Sequence, residues 1–318
     1  MTALHELITT VRSLSKKSVA ASLAFLCALH VEGASAQISE TGEEHAPLLT
    51  PSSVDSMREV PLWHEMITNL PSDWGRLSVL TFRVGTLPTL AGLTLITGTL
   101  IASDKDTWNA TRRAYEDSRF VHSVSDVFVS VGDGTYQFGL AAGFAVYGFV
   151  ASDHRALRTA SQTTEAILAC GLVVQLLKHI SGRESPAVAT HDNGAWRFFP
   201  SIKEYHSNQS RYYAFPSGHI ATGMATLTVL IENYPEATWM KPVGYTTIGL
   251  IGVGLVARGY HWYSDLPLGV ALGYAFGKLA AHPEGWGSDS GENASTPRFS
   301  ITPIVTQHGG GIGLALSF

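Results

Sequence analysis

The stretch SQTTEAILACGLVVQLL, residues Ser161–Leu177, runs without a break into KHISGRESP, residues Lys178–Pro186. The first part is an apolar run of helix length, too long for a strand. The second supplies two cations and hydroxyls in a segment that Gly182 and Pro186 take out of regular helix. An apolar helix that delivers Lys178 and Arg183 to its own mouth is the unit on which the rest of the chain is read. Five further runs share its character: Val84–Ser103, Gly134–Ala151, Gly218–Ile231, Val243–Ala257 and Leu266–Ala280. Between them stand Gly132-Asp133-Gly134, Asp153-His154, Tyr234-Pro235 and Lys241-Pro242, the punctuation of a helical bundle. The expectation is one all-α domain of six or seven helices over residues 57–282.

Composition agrees with this and narrows the partners. The 318 residues are 45% hydrophobic and only 15% charged, and the net charge is −5, so there is no basic surface to track nucleic-acid phosphates. Any anion site must therefore be a local cluster. A mean hydropathy of +0.12 lies between that of a soluble enzyme and that of a chain made mostly of membrane helices. Only Val84–Ser103 and Gly134–Ala151 approach the roughly 20 residues that a span needs. A signal run plus three spans would put the chain beyond Lys178 on the cytoplasmic side, so an exported site needs one of the four not to cross, or none of the later runs.

The ends differ from the middle. Arg12, Lys16 and Lys17 precede an apolar run, Ser18–Val31, and Ala34-Ser35-Ala36 offers small residues for cleavage, so residues 1–36 read as a signal peptide. Cys27 lies within that run, which leaves Cys170 alone in the mature chain as a small buried hydrophobe. Residues 37–56 are a polar leader with no usable apolar period, and 283–297 a linker rich in Gly, Ser, Asp and Glu. Residues 298–318 read as a β-hairpin around Gly309-Gly310.

Two more clusters lie at the ends of apolar runs. In FPSGH, Phe215–His219, a Pro and a small Ser-Gly pair open a helix whose first N–H groups are free to meet an anion. In ARGYHWYSD, Ala257–Asp265, His261 and Asp265 are four apart, a spacing that on a helix lets the carboxylate hold one ring nitrogen and leave the other free. The connector Ala187–Phe215 is long, polar and aromatic, and reads as a lid or a substrate-facing wall.

In this order the clusters resemble the signature of the type 2 phosphatidic acid phosphatase (PAP2) and haloperoxidase superfamily: Lys, six residues, Arg-Pro; then Pro-Ser-Gly-His; then Ser-Arg, five residues, His, three residues, Asp. Lys178 and Pro186 keep the first spacing, Pro216–His219 is complete, and His261 and Asp265 keep the third. The resemblance covers roughly residues 132–282. It departs from the pattern twice. Ser185 stands where the first motif has Arg, with Arg183 two residues earlier, and Leu255 stands where the third has Arg, with Arg258 three residues later.

The resemblance implies hydrolysis of a phosphoric ester or anhydride through a phosphohistidine, with no cofactor and no metal. His261 would be the nucleophile, Asp265 its orienting carboxylate and His219 the acid for the leaving group. Lys178, Arg183, Ser217, Gly218 and Arg258, with Ser185 as a further candidate, would bind phosphate. The expected substrate is amphiphilic, a lipid phosphate or diphosphate, with membrane lipid as partner. The site would belong to the cell envelope, either facing the periplasm from the inner membrane or free in the periplasm. A soluble acid phosphatase on small phosphomonoesters, a vanadate-dependent haloperoxidase and a non-catalytic anion-binding envelope protein are the competing readings.

Overall fold

A computed structural model describes residues 63–283, 286, 298–306 and 309–317. The expected signal peptide and leader, and nearly all of the linker, lie outside the described residues. After a helical turn at Glu65–Thr68, the chain forms α1 (Leu70–Thr81), α2 (Leu87–Asp117), α3 (Arg119–Gly132), α4 (Gly134–Ala151) and α5 (His154–Ser181). Next come a short α6 (Ile202–Ser207) and the longer α7 (Gly218–Asn233), α8 (Met240–Ala257) and α9 (Leu266–Ala281). Two strands, β1 (Arg298–Thr306) and β2 (Gly309–Ser317), pair antiparallel, with Arg298 opposite Ser317 and Thr306 opposite Gly309. The helical class is as the apolar runs predict.

Several boundaries differ from the expectation. The run from Val84 continues through Asp104-Lys105-Asp106 to Asp117, because none of these residues breaks a helix and Arg112 pairs with Glu116 one turn on at 2.6 Å. Helix α3 has no continuous apolar run, and it buries Ser125, Val129 and Gly132 along one face. Lys241-Pro242 is not a connector: Pro242 sits in the first turn of α8, where its missing N–H has no intrahelical partner to lose. Helix α5 extends both ways from Ser161–Leu177, so Lys178 belongs to its last turn. As a result α2, α5 and α8 are long and apolar enough to cross a membrane, whereas Gly134–Ala151 is not among the helices that meet that measure.

Residues 139–160 form a unit of their own within the described chain. There α4 ends at Ser152, whose φ is 55°, and Asp153 caps the start of α5 by accepting from the Ala156 N–H at 3.0 Å.

In the remaining unit, residues 61–138 and 161–318, one core joins Ala166, Cys170 and Val174 of α5 to Ala221, Ala225 and Val229 of α7 and to Phe276 and Leu279 of α9. Cys170 is fully buried there, as expected. A second core joins Val129, Ile220, Ile251 and Leu255. Helices α7 and α9 meet backbone to backbone. A Cβ at Gly273 would lie 2.2 Å from the Ala221 carbonyl oxygen, one at Gly277 2.5 Å from the Thr228 Cβ, and one at Gly269 2.8 Å from the Ser217 carbonyl oxygen. The last of these contacts ties α9 to the residue that opens α7.

Candidate functional site

Two glycines bring the polar clusters together. Gly182, at φ 51°, turns the chain off α5, and its open Cα lets the Arg197 carbonyl approach to where a Cβ would lie 1.9 Å away. Gly259, at φ 74°, turns it off α8. The two turns feed Arg183 and His261 into one buried region, against the start of α7.

At that start, Ser217 is the N-cap of α7, and its own N–H donates to the Asp265 carbonyl at 3.0 Å, joining the second and third clusters through the backbone. Its Oγ is buried and has no hydrogen-bond partner among the described residues. A buried hydroxyl without a partner costs about 1–3 kcal/mol, which a ligand oxygen would relieve. Lys178, on the last turn of α5, is buried, with Nζ 3.2 Å from the centroid of the Tyr213 ring. A Cβ at Gly218 would lie 3.5 Å from that Nζ, so the ammonium stands over the bare first turn of α7.

The two histidine rings lie 6.4 Å apart, centroid to centroid. His261 Nδ1 is 2.6 Å from the Ala214 carbonyl oxygen and 3.7 Å from Asp265 Oδ2. A carbonyl can only accept, so Nδ1 carries the proton and Nε2 holds the free lone pair. The expected helical placement of His261 and Asp265 is corrected here: His261 lies in the turn after α8, and Asp265 ends a 3₁₀ segment, Tyr263–Asp265. The carboxylate therefore turns back to accept the Trp262 N–H at 2.7 Å, and the main chain of Ala214 is the closer partner of the ring. Burial holds His261 below the ordinary histidine range, while Asp265 opposes that shift. His219 is pushed down to about 4, by burial first and then by His261 and Lys178, against the pull of Asp133, whose Oδ2 is 3.9 Å from Nε2.

The two displaced arginines have unlike surroundings. Arg183 is wholly buried and donates through Nη1 to Ser264 Oγ and Asp265 Oδ1, and through Nη2 to Asp104 Oδ2 and the Asn193 carbonyl. Its guanidinium also lies 4.7 Å from the Trp196 ring centroid and 5.5 Å from that of Trp262. Arg258, at the end of α8, is partly exposed, with Nη1 3.4 Å from Asp126 Oδ1 and its guanidinium 5.2 Å from the Tyr260 ring centroid. Leu255, at the position of the family's arginine, is buried in the second core. Ser185 opens the 3₁₀ segment at Pro186, and its N–H donates to the Ser210 carbonyl at 2.9 Å.

The connector after Pro186 is tied down at its root and holds a helix, α6, of its own. Glu184, buried, accepts from the N–H groups of Thr190 and Ala195 and from Arg197. Burial opposes its charge, yet these donors hold its carboxyl down to about 2. Among the described residues no group of three or more His, Cys, Asp or Glu is placed to hold a metal ion.

Asp104, Tyr213 and Ala214 have no part in the sequence reading of the site. Asp104 carries no local signal that could have found it: it stands with Lys105 and Asp106 just past an apolar run, where charges are ordinarily solvated.

The PAP2 superfamily model matches residues 161–285, which hold all three motifs, so the resemblance drawn from those motifs is borne out over that segment. Over 67 residues, 21% of this chain, the sequence is 34% identical to a lipid A 1-phosphatase of Porphyromonas gingivalis, and the match spans 15% of that protein's length. A crystal structure described as the first transmembrane PAP2 type phosphatidylglycerolphosphate phosphatase from Bacillus subtilis aligns with 60% of this chain and 92% of its own, at 17% identity and a TM-score of 0.42.

Proposed function

We propose that this chain, whose residues 161–285 match the PAP2 superfamily, is a membrane-bound phosphatase that hydrolyses a lipid phosphate or diphosphate through a phosphohistidine on His261. The observation that carries the reading is the hydrogen bond from His261 Nδ1 to the Ala214 carbonyl, which leaves Nε2 as the nucleophilic nitrogen. Nε2 attacks phosphorus, the bond from phosphorus to the leaving oxygen breaks, and His219 gives that oxygen its proton. Water then attacks the phosphohistidine with His219 as base, the N–P bond breaks, and inorganic phosphate leaves.

Lys178 Nζ, Ser217 Oγ and the unsatisfied N–H groups of the first turn of α7 form the cradle for the equatorial oxygens. Arg258 would join them only by exchanging Asp126 for the ligand. The two histidines start in the required order of burial, His261 deep and His219 partly exposed at the mouth.

The membrane reading rests on α2, α5 and α8, which expose Leu87, Leu95, Leu172, Leu176 and Val253 along helices of spanning length. A lipid A-type or other lipid phosphate would set its head group on the polar cluster at the end of such helices. Export and a periplasm-facing site are inferred from the N-terminal signal pattern and belong to the same proposal.

The test is phosphate release in EDTA by the purified protein from lipid A, a diacylglycerol phosphate, a prenyl diphosphate and p-nitrophenyl phosphate. Release from a lipid that is lost in His261→Ala is the expected result. Release from p-nitrophenyl phosphate alone would move the protein to the soluble acid phosphatases, and release from none of the four would refute the reading.

A further inference from the structure

Behind His261, Asp265 belongs to a fully buried polar layer whose other members the proposed reaction does not itself use. Asp104 of α2, Arg183 after α5, and Ser264 and Asp265 before α9 meet there with no side-chain exposure at either ion pair. Asp104 Oδ1 accepts the Ser264 N–H at 3.2 Å, and its Oδ2 accepts both Ser264 Oγ and Arg183 Nη2, the latter at 2.7 Å. Arg183 Nη1 holds Asp265 Oδ1, whose partner oxygen Oδ2 is the one 3.7 Å from His261 Nδ1.

The balance of charge gives this layer a consequence. Arg183 alone would neutralise Asp265 and strip it of its use to a histidine that becomes cationic when phosphorylated. With Asp104 present, two carboxylates share one guanidinium, and the layer keeps one net negative charge behind the ring. Burying three ions is costly unless they are paired: both carboxylates and the terminal nitrogens of Arg183 are, while Arg183 Nε has no hydrogen-bond partner among the described residues. Arg183 also reaches His261 by a second route: its carbonyl accepts the Ala214 N–H at 3.0 Å, and Ala214 in turn accepts His261 Nδ1–H.

We propose that Asp104 is a positioning residue for the reaction at His261: through Arg183 it fixes Asp265 and maintains the negative charge that stabilises the imidazolium. Arg183 is then a strut between two carboxylates, and phosphate is held by Lys178, Ser217 and the start of α7. The inference rests on the phosphohistidine reading.

The test is Asp104→Asn, which keeps the side chain's shape, beside Lys178→Ala and the wild type, in the full-length protein. Three readouts are taken: kcat and KM on the best lipid phosphate, inhibition by orthovanadate, and titration of the His261 ring by NMR of isotope-labelled histidine, assigned with His261→Gln. The titratable and charged groups around that ring are Asp265, Lys178 and His219, with Arg183 and Asp104 behind Asp265. Asp104→Asn is expected to lower kcat about 10- to 100-fold, to leave vanadate inhibition within about threefold, and to lower the midpoint of the ring by about one pH unit. Lys178→Ala should instead weaken vanadate.

A vanadate loss in Asp104→Asn as large as in Lys178→Ala would make Arg183 a phosphate ligand and overturn the proposal, as would an unchanged kcat and ring midpoint. Should the variant not fold, Ser264→Ala, which removes one donor to Asp104 and one acceptor of Arg183, takes its place with the same expected signs. If the wild type releases no phosphate, the function reading fails, and the ring titration still decides whether Asp104 governs His261.

Discussion

The layer around Arg183 and the rim around Arg258 are made of the same parts, an arginine, an aspartate and an aromatic ring, yet they are different objects. Arg183 is sealed from solvent between two carboxylates and two tryptophans, and its terminal nitrogens are spoken for. Arg258 is partly exposed and holds one carboxylate at 3.4 Å beside one tyrosine. Both are displaced from the family's motif by two or three residues, so sequence distance alone treats them alike. Burial separates them. In a buried site an unmatched polar atom is costly, so losing a partner there is severe, whereas a rim residue can trade its partner for water at little cost.

The most severe challenge to this contrast is to remove Arg183. Arg183→Ala leaves two buried carboxylates facing one another, and the expected loss is about 3–5 kcal/mol of stability, read as a large fall in Tm. A Tm unchanged within error would mean that the layer is open to water and that the contrast with Arg258 is false. Smaller, and aimed at the frame that holds the layer, is Gly273→Ala. The added Cβ would meet the Ala221 carbonyl, forcing α9 away from α7 at an expected cost of about 1–3 kcal/mol. Because α9 begins right after Asp265, kcat should fall with stability in that variant.

The pH profile refines the contrast at the mouth of the site. In the proposed reaction His219 has to be protonated to serve as acid, but it is held down to about 4, and His261 has to be neutral to attack, so kcat/KM should peak on the acid side of the ordinary histidine range. Asp133→Asn removes a charge that raises the His219 value, so kcat/KM along the alkaline limb should fall. A limb that stays in place would assign it to another group. The smallest effect is expected at the rim. Arg258→Ala should change stability by no more than about 1 kcal/mol, and a large loss of phosphate or vanadate affinity there would show that Arg258 does exchange Asp126 for the ligand.

Much of the site was legible before the fold. Lys178, Ser217, Gly218, His219, His261 and Asp265 sit in short segments whose residue types and spacing already suggest an anion and a nucleophile, and the structure gathers them within one region. The partner of each group could not be read. The i, i+4 spacing of His261 and Asp265 suggested a helix face, but Gly259 and the 3₁₀ turn put the Ala214 carbonyl against the ring instead. Asp104 is 79 residues from Arg183, and nothing local marks the pair. Likewise the α7–α9 contact rests on Gly269, Gly273 and Gly277, which in sequence look like ordinary small residues of an apolar run.

Local pattern alone settled the helical class, through apolar runs too long for strands, and named the candidate residues of the site, through three motifs at their ends. Both are set by the order of side chains within about a dozen residues. Packing between distant segments settled the rest: which arginine is sealed and which lies at the surface, which nitrogen of His261 holds the proton, and which carboxylate stands behind it. Those depend on burial and on contacts between residues far apart in the chain, where the low dielectric makes each partner decisive and the spacing of letters carries no record of it.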